Sequence, residues 1–409
     1  MFIFLISLSL ILLVSQLMGF LAKLVGQPKV VGEMIGGVII GPTVLGNIFP
    51  ELQTVIFKDN KETLYLLSQL GISLYMFLIG TNVGKEPIAM KEFKIAIKLA
   101  LLGIIPTFII IFLFSWNFYY DLEIKITSQL VYSLFMAASI SITAFPVLVR
   151  ILDQYKMINT HLGKIVVLGA SIDDAIAWIL LPIIIALSKL NFSLSDTKII
   201  FYMLFYILTM FFVIKPILRF LASRNFKRNT ELFPLFILVF LISSLITEKI
   251  GLHCIFGGFI AGLIIPKHPK ISSNLDEKLS GLVNTLFIPI FFVLSGFNVD
   301  LYNISKGYSY GTIALFIIIA FTTKYFSCMI YSKIIGFNWK QSSAIGALMN
   351  ARGLMILIFA NIGLSSKIIS NNDYCILFLI AIITTFFTTP IFKLSMYSKK
   401  HEIKKRHVV

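Results

Sequence analysis

The chain alternates between apolar stretches of roughly 20 residues, the length a helix needs to cross a bilayer, and short polar gaps. The pattern predicts thirteen spans, at about 1–23, 29–47, 63–83, 95–115, 127–150, 164–188, 198–221, 231–249, 252–266, 279–300, 309–334, 341–365 and 373–395. Proline and Gly-Pro punctuation falls mostly at span edges, at Gly41-Pro42, Pro266, Pro269 and Pro390. The first run carries no basic residue ahead of its apolar core and no small-residue cleavage site behind it. It therefore reads as a retained first span and not a secretory leader.

Two spans carry breakers at their centres. The fifth contains Ser139-Ile-Ser-Ile-Thr143-Ala-Phe-Pro146. Pro146 removes a helix hydrogen bond and frees carbonyls near Ile142 and Thr143. The twelfth contains Asn350-Ala-Arg352-Gly353, a poor sequence for a lipid-facing helix. Unwound backbone survives at that depth only where protein buries it or a cavity waters it. The two breaks are seven spans apart, so their helices run in opposite directions. Spans 4–6 and 11–13 then read as inverted repeats with crossed discontinuous helices, an architecture that places ion sites near the midplane. The predicted fold is an all-α polytopic membrane protein.

Composition agrees: 58% of the 409 residues are hydrophobic and 13% are charged, about half the charged fraction of a soluble protein. The net charge of +16 follows topology more readily than nucleic-acid binding, because the basic residues are not gathered on one surface. With the C-terminus cytoplasmic, the inside loops hold 25 lysines and arginines and the outside loops 8, with Lys324 and Arg352 inside spans. The positive-inside rule puts the N-terminus outside and the basic tail 399–409 in the cytoplasm, beside anionic lipid. Three dispersed cysteines, Cys254, Cys328 and Cys375, give no disulfide framework.

The chemistry centres on Asp173 and Asp174, mid-span in Ala170-Ser-Ile-Asp-Asp-Ala175. Each charge at that depth costs at least ~2.5 kcal/mol, so something cationic visits them: a proton, a metal ion or a basic side chain. Adjacent helix positions are about 100° apart, so the two carboxylates point in different directions. Lys324 is the natural partner, because a buried ammonium keeps its charge beside a carboxylate. Arg352 stays charged; it is expected to compensate helix ends or hold a carbonyl-rich crossing, with Asn350 beside it. Thr143 and Ser171 offer hydroxyls to an ion, or else bond their own backbone four residues back. Glu33 and Glu248 lie near span ends and are expected to meet water or the interface. No His, Cys or carboxylate grouping has zinc-like spacing, and neither a Walker-type nor a Gly-x-Ser-x-Gly sequence occurs. Nothing points to an enzyme or an ATP-driven pump.

Several segments together resemble the monovalent cation:proton antiporters, in particular their second family with the sodium/proton exchanger fold. These are Val31-Gly-Glu-Met-Ile-Gly-Gly-Val-Ile-Ile-Gly-Pro42, Ser141-Ile-Thr-Ala-Phe-Pro146, Asp173-Asp174, Gly251-Leu-His-Cys-Ile-Phe-Gly-Gly-Phe-Ile-Ala-Gly262, Pro289-Ile-Phe-Phe-Val-Leu-Ser-Gly296, Lys324 and Asn350-Ala-Arg-Gly-Leu-Met355. They follow one another through nearly the whole chain. The resemblance implies a membrane domain over 1–398. Its moving core is spans about 95–188 and 309–395, its dimerisation panel about 1–83 and 231–300, and its linker helix about 198–221. It also implies that Asp174 binds the cation and that Asp173 pairs with Lys324 when no cation is bound. Many relatives carry an acidic residue shortly after the Arg-Gly pair; here Ile356 stands in that place.

The expectation is a homodimeric secondary antiporter of the cell membrane, exchanging Na⁺ for protons electrogenically, with no cofactor beyond the transported ions. Asp173, Asp174 and Thr143 hold the ion, Lys324 is the ion-pair partner and proton carrier, and Ser171, Asn350 and Arg352 support them. Alternatives are K⁺/H⁺ exchange, or a cation channel or sensor of the same fold. A channel would need a continuous polar path, and these charges cluster at one depth. A sensor is expected to carry an appended soluble domain, and the sequence to Val409 contains none.

Overall fold

A computed structural model describes residues 1–82, 90–122, 125–158, 160–189, 197–224, 232–302 and 308–406. Twelve helices among these are long and apolar enough to cross a membrane. They are α1 (Phe2–Leu24), α2 (Lys29–Ile48), α3 (Lys61–Asn82), α4 (Met90–Phe118), α5 (Gln129–Asp153), α6 (His161–Ser188), α7 (Phe201–Ser223) and α8 (Phe233–Ile250). After a shorter apolar helix, α9 (Cys254–Ile264), come α10 (Lys270–Phe297), α11 (Tyr310–Ile334), α12 (Trp339–Ser365) and α13 (Asn371–Met396).

Three details differ from the sequence expectation. The ninth apolar run makes a helix of only 11 residues, because Gly251 (φ 87°) and His253 (φ 73°) hold the chain out of helix until Cys254. The next helix starts at Pro269, well before 279, since proline fits a first helical turn without losing a bond. Pro390 lies inside the last helix and does not end it: the backbone stays helical to Arg406.

The chain divides into two compact units. The first comprises Met1–Ser15, Phe49–Pro87 and Ile185–Leu294. Within it, α3 and α9 meet backbone to backbone. A Cβ on Gly262 would clash with the Phe77 carbonyl oxygen, and one on Gly258 with that of Ser73. Small residues at such contacts let membrane helices approach closely where no water drives them together. Tyr206 on α7 and Ser243 on α8 share a hydrogen bond of 2.6 Å, and the Ser243 hydroxyl also lies 2.6 Å from the Gly257 carbonyl on α9.

The second unit comprises Gln16–Ile48, Ile88–Ile184 and Ser295–Val409. The starts of α11 and α12 are capped by side chains. Ser309 accepts from the Thr312 N–H, and Asn338 and Gln341 bond reciprocally in a capping box. At the centre runs α12, whose most apolar window is 94% buried, against 28% for α11. It is also interrupted near its middle, as α5 is. The fifth breaks into α5a (Gln129–Ser141) and α5b (Phe145–Gln154). The twelfth breaks into α12a (Trp339–Met349) and α12b (Gly353–Ser365). Each break is at the residues whose chemistry forbids a helix, before Pro146 and around Asn350–Arg352.

Candidate ion-binding site

The two breaks bond to each other. The Ala144 N–H donates to the Ala351 carbonyl at 2.7 Å, and the Thr143 hydroxyl donates to the Met349 carbonyl at 2.7 Å. The Ala144 N–H of the first break and two carbonyls at the second, those of Met349 and Ala351, are thereby satisfied inside the bilayer, as such backbone requires. Two cations serve the carbonyl end of α5a. Arg352 donates to the carbonyls of Ile140 and of Ala320 on α11, and its Nε lies 3.3 Å from Asn350 Oδ1. Asn350 in turn donates to the Phe321 carbonyl at 2.8 Å. Lys324 donates to the Ser141 carbonyl. A helix C-terminus carries partial negative charge, so both bases sit where that charge is densest.

The aspartates lie on α6, beside this crossing. Asp173 and Lys324 form an ion pair, with Nζ 2.8 Å from Oδ2 and both side chains fully buried. Thr143 lies against the Asp173 carboxylate. Asp174 points elsewhere, as its helical offset requires: its carboxylate faces the backbone N–H of Phe145, at the positive N-terminus of α5b. One oxygen of each carboxylate, Oδ1, is buried and makes no hydrogen bond. Buried polar atoms are nearly always paired, so these two oxygens keep open acceptor positions.

The structure gathers Asp173, Asp174, Thr143, Lys324, Asn350 and Arg352 into one cluster. Ser171 stays apart from it in bonding: its hydroxyl donates to the Val167 carbonyl at 2.8 Å on its own helix. Glu33, expected near water, is buried and paired with Lys29 at 3.2 Å, one helical turn away. Glu248 is exposed, as its span-end position suggests.

A second buried polar cluster escaped the sequence reading. Asp373 accepts from Tyr132 at 3.1 Å, from Tyr308, from the Ser370 N–H at 2.8 Å and from the Ser370 hydroxyl at 2.6 Å. It joins α5a, the residues before α11 and the start of α13. Only Ser370-x-x-Asp373 was legible, as a capping box with aspartate at its third position. The tyrosines are too distant in sequence to signal it.

The model of a transmembrane sodium/hydrogen exchanger matches residues 9–394. The chain belongs to that family. Within the sodium/hydrogen exchangers, it is 36% identical over 383 residues to the Na⁺/H⁺ antiporter NhaS4 of Synechocystis, covering 92% of this chain and 93% of that one. It is 34% identical over 403 residues to K⁺/H⁺ antiporter 1 of Saccharomyces cerevisiae, covering 96% of this chain but only 46% of the yeast protein. The chain thus spans about half the length of some relatives. The sodium proton antiporter MjNhaP1 of Methanocaldococcus jannaschii, at pH 8, shares the fold. Its TM-score is 0.63 at 17% identity, over 96% of both chains.

Proposed function

We propose that this protein is a secondary antiporter that exchanges a monovalent cation, Na⁺ in the first reading, for protons by alternating access. The observation that carries the proposal is the pair of unbonded carboxylate oxygens, Asp173 Oδ1 and Asp174 Oδ1, buried beside the crossed breaks. Exchange needs one group that holds either a proton or a cation and never both. Asp174, without a basic partner, suits that role. A dehydrated cation takes roughly six oxygen ligands. The Thr143 hydroxyl spends its proton on Met349 and keeps lone pairs to offer, and unwound carbonyls supply more. The relatives' names support cation/proton exchange and support Na⁺ and K⁺ alike, so K⁺ is the second reading.

Charge counting makes the exchange electrogenic. With no cation, Asp174 is protonated, the Asp173–Lys324 pair is neutral, and the site holds no net charge. Na⁺ displaces the Asp174 proton and draws Asp173 from the ammonium. An ammonium stripped of its carboxylate in a dry site gives up its proton. Two protons leave for one cation, and the membrane potential drives the cycle with about 2.3 kcal/mol per 100 mV. In this reading the protein is a homodimer of the cell membrane with its C-terminus cytoplasmic. The residues about 95–188 and 309–395 move against the panel about 1–83 and 231–300, through the linker about 198–221. The transported ions are substrates, and the cycle needs no resident cofactor.

The test is a vesicle assay with a pH-sensitive dye in an acid-loaded lumen. Added Na⁺, Li⁺ and K⁺ are compared, and dequenching by Na⁺ at the lowest concentration is expected. A response that appears only with a protonophore identifies a channel and defeats the proposal.

A further inference from the structure

The turn between α8 and α9 brings together three metal-binding side chains that the ion site does not use. Helix α8 stops at Gly251, whose N–H donates to the Glu248 carbonyl at 2.9 Å. The chain then reverses through His253 in a left-handed conformation, φ 73° and ψ 139°. Such a φ is uncommon for any residue but glycine, and held strain of this kind concentrates at functional positions. The reversal folds Cys254 back toward Glu248, whose Oε2 accepts the Cys254 N–H at 2.7 Å. His253 Nδ1 lies 3.7 Å from Cys254 Sγ, and the Ser73 hydroxyl lies 3.3 Å from the same sulfur. One nitrogen, one sulfur and one carboxylate oxygen from the three residues all fall within 4.8 Å of one another.

A tetrahedral ion with bonds of about 2.0–2.3 Å to nitrogen, oxygen and sulfur holds its donors roughly 3.3–3.8 Å apart. The nitrogen and sulfur already stand at that separation, and a carboxylate oxygen of the exposed Glu248 lies within 4.8 Å of both. Glu-x₄-His-Cys is not a familiar zinc spacing, which is why the sequence did not suggest it; the glycine-led turn closes the distance.

We propose that Glu248, His253 and Cys254 form a binding site for a divalent transition-metal ion of the Zn²⁺ class, distinct from the carboxylate pair on α6. The mixed N, S and O donors select a borderline-soft ion over Na⁺, Mg²⁺ or Ca²⁺, which take oxygen ligands. Binding releases the Cys254 thiol proton to water, leaves a fourth position to solvent, and ties the end of α8 to the start of α9.

The test uses the purified full chain with Co²⁺ as a spectroscopic probe and Zn²⁺ as competitor. Wild type is expected to develop a saturable thiolate-to-cobalt absorption band at one ion per chain, erased by Zn²⁺. Cys254→Ser should abolish the band, and Glu248→Gln and His253→Gln should each weaken binding at least tenfold. Thermal-unfolding midpoints measured without metal, unchanged among the variants, establish that they fold. A wild-type protein with no saturable band overturns the proposal. So does a band that persists in Cys254→Ser, or Glu248→Gln and His253→Gln variants that bind like wild type.

Discussion

Lys324 and Asp173, 151 positions apart, meet at 2.8 Å with no exposure to solvent. The pair joins α11 to α6, and the same ammonium bonds the open end of α5a. Breaking a buried ion pair by removing one partner typically costs about 3–5 kcal/mol, because the survivor is left charged and dry. Lys324→Ala and Asp173→Ala should each lower the thermal-unfolding midpoint in detergent. The double variant should recover part of the loss, since no lone charge remains. Additive losses would mean that the two residues do not stabilise one another.

The proton-carrying role of Lys324 is separable from its structural one. In Lys324→Gln, any surviving exchange should become electroneutral, since only the Asp174 proton is left to trade. Cation-driven current on supported membranes, measured beside proton flux in vesicles, reads the ratio. Wild-type current per proton in this variant would show that the lysine carries no proton.

Arg352 holds carbonyls from α5a and α11 with two arms of one guanidinium. Lysine keeps the charge but not the fork. Arg352→Lys should therefore lower both stability and exchange, and Arg352→Gln should lower them further. Ile356, one turn on, offers no carboxylate, and the charge is answered by backbone carbonyls. Full stability in Arg352→Lys would leave the fork without importance.

Thr143 should act on cation affinity more than on turnover. Thr143→Ala removes a neutral oxygen from the crossing and should raise the apparent cation Km more than it lowers the maximum rate. Thr143→Ser should stay near wild type. An unchanged Km in Thr143→Ala would assign the neutral ligands at the crossing to backbone carbonyls alone.

Much of the fold was legible because its signals are local. Apolar run lengths gave the spans, Pro146 gave the first break, and Asn350 to Gly353 gave the second. The mid-span aspartates marked a candidate site by their cost. What was not legible depends on residues far apart in sequence or on local geometry. The bond of Ser171 back to Val167 was one of two readings open in the sequence, but hydropathy could not reveal that Glu33 is buried against Lys29, or that Tyr132 and Tyr308 converge on Asp373. The short α9 was missed for a related reason: hydropathy measures an apolar run but not where a positive φ starts the helix.

The central claim is that Asp174 alone alternates between proton and cation. Asp174→Asn keeps the size and shape of the side chain while removing its charge and its titration, so the variant should fold and reach vesicles as wild type does. The deciding measurement is Na⁺-induced dequenching of a pH dye in vesicles of matched protein content, wild type against Asp174→Asn. The account requires a response in wild type and none in the variant at any Na⁺ concentration; exchange by Asp174→Asn at the wild-type rate would contradict it.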